Sequence, residues 1–341
     1  MSELRRDPLL RRWVIIASER RADVVTRHTI RPPLLEESPC PFCPGNESMN
    51  PKEIYVARGE RSTANPTGWL VRITPDKRPL LHIEGKLERR AIGPFDHMSA
   101  IGAHELVVDT PDHGTRWADF DLSQMTRVLG SYLVRYNDLR RDPRFRQIAV
   151  IKNYGAPWSR YPHDHSHIVA MPFVPRRIDD EIAGAETFYR LKERCVFCDC
   201  LGAEVRAGSR IISANLDFVA FAPYASSFPF ETWILPRQHS SQFGSLTQRQ
   251  LPALAAILRD TMIKLRVTLQ DPHFSLALHS GPLDGSKEAS FHWHWELIPH
   301  MGAALGMEWA TGVYFNPMAP EDAATCLRDG LALDHYEPVR S

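Results

Sequence analysis

Four of the six cysteines stand in two Cys-x-x-Cys pairs, Cys40/Cys43 and Cys195/Cys198. The fifteen histidines include two runs of alternate-residue spacing, His163-Asp164-His165-Ser166-His167 and His292-Trp293-His294. In a reducing compartment disulfides are rare, so a thiol pair at this spacing implies metal ligation or redox chemistry. A thioredoxin-like redox pair belongs at the start of a helix that follows a buried strand. Neither pair is expected in that setting, and SPCPFCPGNES, punctuated by proline and glycine, reads as a knuckle. Metal ligation is therefore the expectation for both pairs. Cys200 and Cys326 lie outside them and are read as ordinary thiols.

On a β-strand, residues i, i+2 and i+4 face the same side, so His163, His165 and His167 are expected in a row on one face of one strand. Ile168, Val169 and Ala170 continue the run as sheet. Unpartnered buried polar rings are costly, so such a row implies a use. Two uses compete, a metal cluster on three imidazoles and nucleophilic catalysis by one imidazole held by its neighbours. Neutral imidazole, with an ordinary pKa of about 6.5, attacks phosphorus well and leaves well once protonated. The preceding KNYGAPWSRYPH offers Gly, Ser and Arg, whose backbone N–H groups and guanidinium suit phosphate oxygens, and this favours phosphoryl chemistry. Trp293 and Trp295 alternate with the second histidine run and are expected to pack on the opposite face.

The elements that carry these residues occur twice. After Cys40/Cys43 come an alternating strand, a turn with His113, a helix-like stretch (LSQMTRVLGSYLVRYNDLRRD), a strand and the run at His163. After Cys195/Cys198 come a strand pair ending near His239, a helical stretch (LTQRQLPALAAILRDTMIKLRVTL), a strand and the run at His292. The turn histidine precedes the run by 50 residues in one half and 53 in the other, which reads as an internal duplication. Each half offers the same tetrad, Cys40, Cys43, His113, His163 and Cys195, Cys198, His239, His292. Cys₂His₂ is a closed zinc-type set that fixes structure and leaves no open position. The expected fold class is α+β, two tandem half-domains (residues 1–188 and 189–341), each an antiparallel sheet with packed helices and joined by a helix over IDDEIAGAETFYRLKER.

Lys+Arg and Asp+Glu are 41 each, which argues against a nucleic-acid or anionic-membrane binder that relies on bulk charge. No stretch approaches the roughly 20 apolar residues of a membrane span, and the N-terminus lacks the apolar core of a secretion signal. A soluble cytoplasmic protein is expected. Arg5, Arg6, Arg11 and Arg12 are read as a solvated or dimer-facing surface.

Across nearly its whole length the chain resembles galactose-1-phosphate uridylyltransferase and its relatives in the histidine-triad superfamily. The segments that carry the likeness are LRRDPLLRRWVIIASER, CPFCPGNE, GAHELVVDTPDH, KNYGAP, HDHSHIVAMPFVP, FPFETWILPRQHSS, HWHWELIPH and GMEWATGVYFNPMAPED. The resemblance implies that His165 is a covalent nucleophile. It implies that Cys40, Cys43, His113 and His163 hold zinc, with Cys195, Cys198, His239 and His292 as a second site. In some relatives a glutamate and histidines bind metal there instead, and Glu181, His279, His294 and Glu296 stand near those positions. Asp76 falls where relatives touch the nucleoside; Asn153, Gly155 and Ser159 fall in the phosphate loop, beside Arg160. The implied reaction moves a nucleoside monophosphate between a nucleotide sugar and a hexose 1-phosphate by double displacement, in a homodimer.

Three departures keep alternatives open. The uridylyltransferases carry glutamine where this chain has His167, which can also handle a proton. The loop GAPWSRYPH is one residue shorter and holds Trp158 and Arg160. ATGVYFNPM lacks the glutamate and glutamine that contact hexose. A nucleotide-sugar or dinucleotide hydrolase or phosphorylase is thus the competing enzyme, and a non-catalytic zinc-stabilised nucleotide-binding protein the competing class.

Overall fold

The computed structural model describes residues 2–18, 39–155, 159, 161–301 and 306–333. At the amino terminus β1 (Glu3–Arg6) pairs antiparallel with β2 (Trp13–Ile16), and β15 (Tyr314–Asn316) later joins β2 in parallel. The first half then contributes β3 (Tyr55–Arg58), β4 (Trp69–Pro75), a hairpin of β5 (Arg89–Ile92) and β6 (Phe95–Met98), β7 (Ala103–Val108), helix α1 (Leu122–Leu139), β8 (Gln147–Tyr154) and β9 (His165–Met171). Helices α2 (Arg176–Lys192) and α3 (Val196–Ala207) follow. The second half supplies β10 (Ile211–Ala214), β11 (Phe218–Phe221), β12 (Thr232–Pro236), helix α4 (Leu251–Leu269), β13 (Phe274–His279) and β14 (His294–Pro299). Short helices α5 (Gly306–Thr311) and α6 (Pro320–Asp329) flank β15.

Ten of these strands make one sheet in the order β10-β11-β12-β14-β13-β8-β9-β7-β4-β3. Read outward from the centre, each half lays down its strands in the same pattern, with the helix of that half inserted at the same place in the chain. The α+β class and its internal repeat are both visible here. The halves are continuous, however. Strands β8 and β13 pair antiparallel from Phe274 opposite Tyr154 to Leu278 opposite Val150, so the two sheets expected from sequence are one. Residue 188 falls within α2.

Alternation sorts the side chains. Ile168 and Ala170 of β9, with Trp295 and Leu297 of β14, face a shared core closed by α1 and α4. Helix α1 is capped by Asp121, whose carboxylate accepts the Gln124 N–H. It buries Met125, Val128, Leu129, Tyr132 and Tyr136, the apolar stripe of a core-facing helix. Trp293 and Trp295 sit in this core, edge-on to Phe243. The opposite sheet face carries His165 and His167 in one half and His294 and Glu296 in the other. Over the second half, α2 and α3 cover that face through Ile178, Ile182, Phe197 and Leu201.

One surface expectation needs correction. Arg6 and Arg11 are exposed, but Arg5 is buried in ion pairs with Glu3 and Glu321, and Arg12 lies over the Tyr314 ring and donates to Ser227 Oγ. Two members of the basic cluster therefore pin the amino terminus to the body of the chain. Among the described residues no helix is long and apolar enough to cross a membrane.

Candidate active site and metal centres

The first tetrad is assembled from a knuckle, a turn and the entrance to β9. Backbone bonds from Cys43 N–H to Cys40 O and from Asn46 N–H to Cys43 O wind the knuckle, and the Asn46 amide donates to Cys40 O. His163 Nδ1 lies 3.6 and 3.7 Å from the sulfurs of Cys40 and Cys43, and His113 Nδ1 lies 3.4 Å from Cys43 Sγ. An ion holding sulfur at about 2.3 Å and nitrogen at about 2.0 Å in a tetrahedron sets S···N edges of about 3.5 Å, so these spacings fit. His163 Nε2 donates to Thr110 O at 2.8 Å, which leaves the Nδ1 lone pair aimed at the thiols. Burial and the neighbouring Cys40 push the Cys43 thiol up to about 11, a cost that a dication among the sulfurs would reverse.

His163 lies ahead of β9, which begins at His165. The expected row of three imidazoles on one strand face is therefore a row of two. Bonding of Asp109 N–H to Asp164 O and the pull of the tetrad turn His163 toward the knuckle.

The second tetrad repeats the first. Cys198 Sγ lies 3.3 Å from His239 Nδ1 and 3.4 Å from His292 Nδ1, and His239 Nε2 donates to Glu288 O at 2.7 Å. All four donor atoms fall within 4.8 Å of one another. Cys195 is the N-cap of α3, so this pair does open a helix, against the sequence expectation. The preceding element is helix α2 rather than a buried strand. In both tetrads two thiols and two imidazoles make a closed, four-coordinate donor set.

His165 opens β9 with its Nδ1–H donated to the His163 carbonyl at 2.8 Å. A neutral imidazole has one N–H, so the lone pair stands on Nε2. Burial holds this ring neutral, down at about 4. Phe42 from the knuckle and Tyr161 flank it at centroid distances of 5.7 and 5.6 Å. Beneath it lies a buried network that sequence reading missed. Lys152 Nζ donates to Asp109 at 2.9 Å, Asp164 at 2.5 Å and the His165 carbonyl at 3.3 Å. Burial alone would discharge Lys152, but the two carboxylates outweigh it and raise its pKa. Ser166 and Trp117 also donate to Asp109. A three-charge cluster thus anchors the backbone on both sides of His165.

His167 stands beside His165, ring centroids 5.2 Å apart. Its Nδ1 lies 3.0 Å from His104 Nε2, and Asp76 Oδ2 lies 3.7 Å from the same His104 atom. Asp76 immediately follows β4 and is thereby brought to the histidines. Asn153 lies on β8 two residues beyond Ile151, the partner of His167, so it shares their face; its Oδ1 accepts from Ser275 Oγ at 2.6 Å. Gly155 follows β8 at φ +90° and its carbonyl accepts the Ser159 N–H at 2.9 Å, closing the loop. Arg160, and Trp158 with it, lie outside the described residues.

A Cβ on Gly155 would meet the His273 ring at 2.1 Å, on a backbone that L residues avoid. Gly155→Ala is expected to destabilise the protein by roughly 2–5 kcal/mol, the sum of backbone strain and overpacking, as read by denaturant melts. An unchanged midpoint would contradict this geometry.

The second half holds a counterpart of the His165 site. His294 Nδ1–H donates to the His292 carbonyl at 3.0 Å, as His165 does to that of His163. Here α2 closes the face. Glu181 accepts from His279 Nδ1 at 3.1 Å, and Arg177 bridges Glu181 and Glu296. Burial disfavours charge on Glu296, but His279 and Arg177 outweigh it and hold the carboxylate well below its usual range. Glu181, His279, His294 and Glu296 are all buried with donor atoms within 4.8 Å, a second candidate metal set in this half. Only in the first half is the strand histidine next to a partly exposed neighbour, His167.

Comparison with known proteins finds relatives along most of the chain. Residues 181–305 match a family model described as galactose-1-phosphate uridyl transferase, C-terminal domain. An ADP-glucose phosphorylase from Arabidopsis thaliana is 29% identical over 334 residues, covering 96% of this chain and 92% of the relative. A galactose-1-phosphate uridylyltransferase from Thermotoga maritima is 26% identical over 338 residues, covering 96% and 98%. The structure of an Arabidopsis thaliana ADP-glucose phosphorylase with bound ADP-glucose superposes at a TM-score of 0.80, with 28% identity and 96% and 98% coverage.

Proposed function

We propose that this chain, similar to galactose-1-phosphate uridyl transferases over residues 181–305 and to the relatives above along 96% of its length, transfers a nucleoside monophosphate from a nucleotide sugar to a hexose 1-phosphate through His165. The observation that carries this reading is the bond from His165 Nδ1–H to the His163 carbonyl, which puts a lone pair on Nε2 in a ring held neutral. Nε2 attacks the α-phosphorus, an N–P bond forms, the P–O bond to the sugar phosphate breaks, and sugar 1-phosphate departs with the electron pair. A phosphate oxygen of the acceptor then attacks the same phosphorus and expels the imidazole. His167 stands beside His165 to donate to an equatorial phosphoryl oxygen, Asn153, Gly155, Ser159 and Arg160 belong to the phosphate loop, and Asp76 faces the nucleoside. Each Cys₂His₂ tetrad would hold zinc, whose contribution is structural, tying the knuckle to the entrance of the histidine strand. A homodimer is part of this reading.

A second reading makes orthophosphate the acceptor, which would release a nucleoside diphosphate. It is favoured by the likeness to a plant ADP-glucose phosphorylase, by His167, and by ATGVYFNPM without the hexose-contacting pair. Both readings share the first half-reaction. Intact-protein mass spectrometry after exposure to UDP-glucose, ADP-glucose and similar donors is expected to reveal one added nucleotide, its mass identifying the base. No adduct from any nucleotide sugar would overturn both. Chasing the adduct separates them: a nucleotide sugar forms with hexose 1-phosphate, a nucleoside diphosphate with orthophosphate, and the monophosphate with water.

A further inference from the structure

His104, which no motif singles out, stands 63 residues before His167 and reaches it through the pairing of β7 with β9, where Leu106 lies opposite His167. Three contacts around it set proton positions. The Leu80 backbone N–H donates to His104 Nδ1 at 3.2 Å. A backbone amide can only donate, so that nitrogen holds a lone pair and the single proton of a neutral ring sits on Nε2. His104 Nε2 faces His167 Nδ1 at 3.0 Å, with the Asp76 carboxylate 3.7 Å away favouring the N–H there. His167 Nδ1 must then accept, and its own proton is left on Nε2. Burial keeps both rings neutral, His104 lowered from its ordinary value despite Asp76, and His167 lowered to about 3 by burial and by His165 and His104.

Asp76, His104 and His167 also bring three donor atoms within 4.8 Å, as a metal site would. The Leu80 amide argues against that. A metal on His104 Nε2 would require the ring proton on Nδ1, where it would meet the Leu80 N–H head-on.

We propose that His104 is a positioning residue that fixes His167 as its Nε2–H tautomer, so that His167 offers the reacting phosphoryl group an N–H donor as a glutamine amide would. Rotation of an amide gives its N–H without help; an imidazole has a proton on only one side and needs to be told which. The chain Leu80 N–H to His104 to His167 supplies that instruction. The role rests on the nucleotidyl-transfer reading of His165, and the tautomers themselves do not.

Long-range ¹H–¹⁵N correlation of the full-length, histidine-labelled protein reads the tautomers without substrate. His104 and His167 are expected as Nε2–H forms, and His104→Phe should turn His167 into a mixture. His167 found as the Nδ1–H form, or unmoved in His104→Phe, overturns the proposal, as does a shift of both signals on adding zinc to the purified protein. The kinetic arm measures the rate of nucleotidyl-enzyme formation in two backgrounds. With His167 present, His104→Phe and His104→Ala should each slow it by roughly 10²-fold, the scale of one lost donor to developing charge. In a His167→Gln background the same changes should cost less than about threefold, because the amide has its own N–H. Equal losses in both backgrounds would reduce His104 to a packing role. Should wild-type protein form no adduct, the functional reading fails while the tautomer arm still decides this one.

Discussion

His165→Ala is expected to form no nucleotidyl adduct and to lose roughly 10⁴–10⁶-fold in turnover, the range seen when the nucleophile of a concerted unit is removed. The size follows from how the neighbouring nitrogens are committed. His163 donates through Nε2 to Thr110 and turns Nδ1 to the thiols of the first tetrad. His167 has Nδ1 engaged with His104, and a proton on Nε2 would leave it no lone pair to offer. Of the three histidines in the run, His165 alone presents an unengaged lone pair, so none can substitute. The loss should be chemical rather than structural. His165 is nearly buried, so truncation will lower the melting temperature somewhat, but the tetrad and the Lys152 cluster are untouched. Measured metal content equal to wild type, with nucleotide-sugar binding retained and the covalent step absent, is the expected combination. A variant that still accumulates adduct would place the nucleophile elsewhere.

How much of this was legible in the sequence differs by kind of feature. The tetrads could be read because ligand type and spacing recur in both halves, and the helices because Met125, Val128, Leu129 and Tyr132 leave a stripe along α1. The joining of the halves could not. Strands β8 (QIAVIKNY) and β13 (FSLALH) each mix an apolar row with small or polar residues, as other strands of either half do, and nothing local distinguishes pairing across the centre from pairing within a half. His104 was missed for a related reason. It stands alone in its strand, and its meaning comes from the register that brings it to His167 from 63 residues away. Arg5 looked solvated because its partners, Glu3 and Glu321, include one at the other end of the chain. The His294 face was legible in part: the resemblance set Glu181 beside His279, His294 and Glu296, whereas Arg177, which bridges Glu181 and Glu296, lies just ahead of the stretch read as a linking helix and carried no signal.

Removal of the first tetrad should cost more function than removal of the second. Cys40→Ser/Cys43→Ser frees the knuckle, whose Phe42 packs on Tyr161 with ring centroids 4.7 Å apart and flanks His165. It also leaves His163 without its Nδ1 partners, and the His163 carbonyl is what orients His165. Structural zinc binding is worth about 10–16 kcal/mol in small domains. Recovering even ~5 kcal/mol of that here would move the melting temperature by roughly 10 °C in a chain of this size. Chelation or the double substitution is therefore expected to lower the melting temperature by that amount and to reduce adduct formation at a temperature where the variant is still folded. Cys195→Ser/Cys198→Ser should cost comparable stability, because the second tetrad ties the start of α3, which covers the second half, to the turn at His239 and to His292 ahead of β14. Its effect on the rate of adduct formation should stay within about threefold, since the second tetrad positions the His294 strand and not His165. Metal analysis gives the control: two ions per chain from the tetrads in wild type and one in each double variant. Equal damage to adduct formation from both would mean that the continuous sheet transmits disorder across its centre, and that the two tetrads act as one.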